Sequence, residues 1–124
     1  MSKTVLIIDD SVTVRMFVSN LLTNDGYCIE QADNGVEGVE KAGESHYDLI
    51  ISDINMPTMN GYSAVTTIRQ DPTNQGVPII VMSTASKDID ATKAYAAGAN
   101  LYLTKPVKPD LLLERVRMIL GDQR

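Results

Sequence analysis

Five short strand-like runs, each stopping at polar turn residues and each followed by a stretch with helical spacing, constrain this chain most. They are Thr4–Ile8, Tyr27–Ala32, Leu49–Asp53, Ile79–Met82 and Leu101–Thr104. A brief apolar run bounded by turn signals reads as a strand. Between them, helices are predicted. Ser11 is placed as an N-cap before Val14, Phe17, Val18, Leu21 and Leu22, and Asp25-Gly26 closes that helix. Asn34-Gly35 opens Val36–Ser45, with Val36, Val39 and Gly43 on one face. Gly61–Gln70 follows through Tyr62, Val65 and Ile68, and residues 71–76 form a loop. Lys87–Ala97 is weakly amphipathic and closed by Gly98. Pro109 suits a first helical position, and Leu112, Val116, Ile119 and Leu120 carry the last helix to Gly121.

Strict βα alternation means a parallel sheet with helices on both faces. The runs at Val5, Leu49 and Ile79 are apolar throughout and are expected at the centre, covered on both sides. Those at Tyr27 and Leu101 are mixed and are expected at the edges. That ranking predicts an α/β fold with five parallel strands in the flavodoxin-like order 2-1-3-4-5. The 124 residues read as one domain, 1–124, and a 44% apolar content supports a real core.

The formal net charge of −5 argues against a nucleic-acid ligand, because a phosphate backbone needs a basic face. The single cysteine, Cys28, excludes an internal disulfide and reads as a small buried strand residue. His46, the only histidine, has no nucleophile placed beside it and reads as a surface residue. No apolar stretch approaches the ~20 residues that cross a bilayer, and no signal peptide is visible. The expectation is a soluble, cytoplasmic monomer without membrane or nucleic-acid partners.

In this fold the strands end on one side. Asp9 and Asp10 follow the first strand, and Asp53 ends the third, its neighbour in the predicted order. Three carboxylates therefore converge at the topological switch point, where open α/β sheets bind ligands. Taken singly, Asp9-Asp10 could start a helix and Asp53 a turn. Together, like charges need a neutralising partner, and Mg2+ suits oxygen donors of this kind. Ser83 after the fourth strand and Lys105 after the fifth add a hydroxyl and an ammonium. Such a site is built to receive a phosphoryl group.

The stretches VLIIDDS, DLIISDINMPTMNG, PIIVMST and GANLYLTKPVKP resemble a response-regulator receiver domain of the CheY-like, single-domain kind. The resemblance covers essentially the whole chain. It implies that Asp53 is the phospho-acceptor, and that Asp9, Asp10, Asp53 and the Asn55 carbonyl hold Mg2+. Asp10 would bind it directly and Asp9 partly through water. It implies further that Ser83 is the switch hydroxyl, Lys105 the phosphate-contacting lysine, Tyr102 the aromatic switch residue and Pro106 a cis-proline. The chain departs from the family after the switch hydroxyl, where a small residue is usual. Two alignments compete, Ser83-Thr84 and Thr84-Ala85; spacing favours the first. Thr84 would then narrow access to the phosphoryl group.

The resemblance implies a sensor histidine kinase upstream and an effector protein downstream. The output surface is expected on the fourth helix, fifth strand and fifth helix around Tyr102, rimmed by Lys87, Lys93, Tyr95 and Lys108. The chain would catalyse only its own phosphoryl transfer and slow autodephosphorylation, in a chemotaxis or motility pathway. Three other functions fit less well. A flavodoxin-like flavin protein wants a hydroxyl- and Gly-rich phosphate loop where Asp9-Asp10 stands. A haloacid-dehalogenase-type phosphatase wants an acid at position 55, which is Asn. An unphosphorylated scaffold would typically lack an acid or the lysine.

Overall fold

The computed structural model describes residues 2–84 and 88–121, without the side chain of residue 88. Five parallel strands, β1 Thr4–Ile8, β2 Cys28–Ala32, β3 Leu49–Asp53, β4 Ile79–Ser83 and β5 Leu101–Thr104, form one sheet ordered β2-β1-β3-β4-β5. The helices between and after them are α1 Val12–Asn24, α2 Gly35–Glu44, α3 Gly61–Gln70, α4 Asp88–Ala97 and α5 Pro109–Leu120. The architecture is the one expected from the alternation.

The two-residue period of the strands divides the core into two layers. Leu6, Ile8, Ile50, Ile79 and Val81 face α2, α3 and α4 through Ala42, Val65, Ile68 and Ala94. Val5, Ile7, Leu49, Ile51, Ile80 and Met82 face α1 and α5 through Val18, Leu22, Leu112 and Val116. Every residue of β3 and β4 is buried, as central strands require. Register pairs Ile8 with Ser52, Asp53 with Met82 and Ser83 with Thr104, so the strand tips share one edge.

Local chemistry explains the joints. Ser11 accepts from the Val14 N–H at 3.2 Å and caps α1; Asn34 and Asn60 cap α2 and α3 in the same way. Gly26 adopts a φ of 97° beyond α1, as the Asp25-Gly26 stop requires.

Three sequence expectations need correction. The buried face of α2 is Gly35, Gly38 and Ala42, with Val39 half-buried, whereas Val36 and Gly43 are exposed. Small residues carry this packing: a Cβ on Gly38 would stand 2.5 Å from Ile8 Cδ1, so the helix backbone itself lies on β1. Cys28 is exposed, because the edge strand β2 fully buries only Ala32. Phe17, placed on the buried stripe of α1, is 44% exposed, while Val18 and Leu22 carry the contact.

Candidate functional site

Asp9 follows the tip of β1 and Asp53 ends β3, and both are buried; Asp10, one residue on, is exposed. One carboxylate oxygen from each lies within 4.8 Å of the others. Lys105, from the loop after β5, sets its Nζ 3.0 Å from Asp9 Oδ2 and 3.1 Å from Asp53 Oδ1. Its backbone N–H donates to the Ser83 carbonyl at 2.7 Å, which ties the loop to the end of β4. The Lys105-Pro106 peptide is cis.

Burial raises the Asp53 carboxyl above its ordinary pKa, and the charge of Asp9 adds to this. The Lys105 ammonium and the Asn55 N–H oppose the rise without cancelling it. Burial alone would lower the Lys105 pKa, but its hydrogen bonds and ion pairs to Asp9 and Asp53 hold it above the usual value. Among the described residues Lys105 is the only ion-pair partner of these three carboxylates, which leaves the cluster short of positive charge. Its donors are hard oxygens, two of them buried, so the residues fit a small divalent cation such as Mg2+.

Ser83 ends β4 fully buried, while Thr84 is exposed just beyond it and accepts from Asn55 Nδ2 at 3.3 Å. β4 therefore ends at Ser83, and Ala85 of the second alignment lies outside the described residues. Gly61 closes the loop beyond Asp53, its N–H donating to the Ile54 carbonyl at 2.8 Å. A Cβ there would stand 2.3 Å from the Asp53 carbonyl oxygen. Only a glycine lets α3 start this close to the acid.

Tyr102 lies half-buried on β5, packed on the layer beneath α4, and its N–H donates to Tyr95 Oη at 3.3 Å. Lys93 and Lys108 are exposed, and neither side chain has a hydrogen-bond or ion-pair partner among the described residues. Lys87 lies outside the described residues. Ala94 is the one fully buried side chain described on α4, while Tyr62 Oη holds the helix by donating to the Asp90 carbonyl at 3.2 Å. His46 is exposed, 3.7 Å from Asp48.

Sequence reasoning missed two features. Arg15 reaches back to the Asp9 carbonyl, although helical spacing marks it as an outward-facing charge. An apolar groove of about 430 Å³ opens beside Lys105, lined among others by Val14, Phe17, Pro106 and Val107. The exposure of Val12, Met16 and Phe17 on α1 extends that apolar surface. The apolar residues Val12, Met16 and Phe17 were its signal in the sequence. No helix among the described residues is long and apolar enough to cross a membrane.

A family model described as the response regulator receiver domain matches residues 5–117. Chemotaxis protein CheY1 of Helicobacter pylori is 36% identical over 118 residues, spanning 94% of this chain and 95% of that protein. The structure of chemotaxis response regulator CheY4 of Vibrio cholerae, 35% identical, superposes with a TM-score of 0.92 over 97% of this chain and all of its own. The receiver domain of a Pseudomonas aeruginosa sensor histidine kinase, 28% identical, superposes with a TM-score of 0.90 over 98% of this chain. That structure holds a magnesium ion coordinated in the active site cleft. With the fold and nearly the full length in common, the chain belongs to the response regulator receiver domain family of two-component systems.

Proposed function

We propose that this chain is a phosphorylation-controlled switch that takes a phosphoryl group on Asp53 from a sensor histidine kinase and passes its state to a partner protein. The observation that carries this is the Lys105 ammonium held between Asp9 and Asp53, 3.0 and 3.1 Å away, at the edge where the strands end. An Asp53 oxygen attacks the phosphorus of the kinase phosphohistidine. The O–P bond forms as the P–N bond breaks, and the electron pair leaves with the imidazole nitrogen. Lys105 meets the charge on the transferred oxygens. Asp9, Asp10, Asp53 and the Asn55 carbonyl would hold Mg2+, which when bound neutralises phosphoryl charge. The groove beside Lys105 offers the incoming kinase an apolar surface next to the acceptor. The chain acts on no separate substrate beyond this transfer and the slow hydrolysis of its own acyl phosphate.

The Ser83 hydroxyl, at the end of β4, would donate to the new phosphoryl oxygens, a charge-assisted bond worth about 1.5–3 kcal/mol. Its movement leaves room for Tyr102 on the adjacent strand, and Tyr95 is coupled to Tyr102 through the bond to its N–H. A helix fixed by as little buried surface as α4 shifts readily. The output surface is then α4, β5 and α5, with Lys93, Tyr95 and Lys108 exposed on it. The chemotaxis proteins among its relatives support a chemotaxis or motility pathway, and the proposed working form is a cytoplasmic monomer. Amide spectra with and without beryllofluoride, a phosphoryl mimic, test the switch. Changes should run from the Asp53 loops to Tyr102 and α4; changes confined to those loops would overturn the output surface.

A further inference from the structure

We propose that Arg15 is a positioning residue for metal binding: by holding the Asp9 carbonyl it fixes the peptide that presents Asp10 to the acid cluster. The inference rests on reading that cluster as a Mg2+ site.

Asp9 is pinned at every polar atom. Its N–H donates to the Ala32 carbonyl at 3.1 Å, Oδ1 accepts from the Ser11 N–H at 2.9 Å, and Oδ2 accepts from Lys105 at 3.0 Å. The carbonyl accepts from Arg15 Nη1 at 2.6 Å. Asp10 is the opposite case. It is exposed, and its carboxylate has no hydrogen-bond or ion-pair partner among the described residues. Its position is therefore set by the backbone, and the peptide plane entering Asp10 begins at the carbonyl that Arg15 holds.

The guanidinium is itself anchored. Nε donates to Gln31 Oε1 at 3.2 Å, while Gln31 Nε2 donates to Ser19 Oγ at 3.3 Å. Arg15 thus ties the first turns of α1, the end of β2 and the loop after β1 into one unit. It is also the only charged residue in α1. A planar fork holds two acceptors at fixed spacing, which a lysine ammonium on a flexible stem does not. Outer groups that orient metal ligands typically carry about ten- to a hundredfold in affinity.

Two effects of removing Arg15 have opposite signs. Loss of a positive charge near three carboxylates should by Coulomb's law tighten cation binding. Loss of the positioning bond should weaken it. The sign of the change therefore separates the proposal from a purely electrostatic or passive role.

The experiment is a calorimetric titration of the folded, unphosphorylated protein with MgCl2 alone, at fixed ionic strength, with amide spectra confirming the fold. Arg15→Met should weaken Mg2+ binding about tenfold, and Arg15→Lys should restore less than half of that loss on a logarithmic scale. Gln31→Leu alters no charge and should weaken binding by a smaller factor. Unchanged or tighter binding by Arg15→Met would overturn the proposal, as would full restoration by Arg15→Lys. If Arg15→Met does not fold, Gln31→Leu decides: affinity equal to wild type overturns it. A wild-type protein that binds no Mg2+ would instead overturn the reading of the site.

Discussion

Replacing Gly61 by Ala tests how tightly the fold and the site are joined. Gly61 is the first residue of α3, and its N–H bonds back to Ile54. An ideal Cβ there stands 2.3 Å from the Asp53 carbonyl oxygen and 2.6 Å from Ile54 Cα. The first distance is about 0.7 Å short of the 3.0 Å that a Cβ tolerates. All the crowded atoms are backbone, so no side chain can rotate aside. Overpacking of this kind costs roughly 1–3 kcal/mol, and a rigid obstacle belongs at the upper end. The alanine returns roughly 0.4–1 kcal/mol by narrowing the unfolded ensemble. The net loss is about 2 kcal/mol. At about 2.1 cal/mol/K per residue, a chain of 124 residues should then melt about 8 °C lower. Relief of the clash moves either α3 or Asp53, so labelling with acetyl phosphate should also slow. Gly76→Ala is the control: no atom lies within 4 Å of its Cβ, and stability should change by no more than about 0.5 kcal/mol. Thermal melts followed by circular dichroism read both. A Gly61→Ala melting point indistinguishable from that of Gly76→Ala would refute the reasoning.

Other expectations follow from single contacts. Arg69 donates to the Gly98, Asn74 and Gln75 carbonyls and to Asn100 Oδ1, so Arg69→Ala should cost about 2–3 kcal/mol in urea unfolding. Burial, then the hydrogen bond to Glu30, pushes the Tyr47 phenol up to about 12. A pKa raised by folding means stability fully present below about pH 10 and lost as pH rises from there toward 12. The advantage of wild type over Tyr47→Phe in urea midpoint should therefore shrink across that window; a constant gap would count against the bond. Thr84→Ala should shed its phosphoryl group faster than wild type, measured as acyl-phosphate decay, because the threonine stands beside the site on Asn55.

The strand order was legible because burial on two faces leaves a continuous apolar signature in Leu49–Ile51 and Ile79–Met82, and edge strands do not show it. The acids and Lys105 were legible for the same reason: strand tips are marked by an abrupt change from apolar to charged residues. What escaped depends on small or long side chains. The buried face of α2 is made by Gly35, Gly38 and Ala42, which carry almost no hydrophobic signal. Cys28 belongs to a type usually buried, but its strand has a neighbour on one side only. Arg15 acts at the end of a long stem, so its partner is fixed by three-dimensional reach rather than by sequence spacing.

Asp53 as the site of phosphorylation is tested most directly by intact-mass measurement after incubation with acetyl phosphate and Mg2+, followed by peptide mapping. The geometry predicts one added phosphoryl group, mapped to Asp53 and absent from both Asp53→Asn and metal-stripped protein. Equal labelling of Asp53→Asn, or a phosphoryl group mapped to another residue, would contradict it.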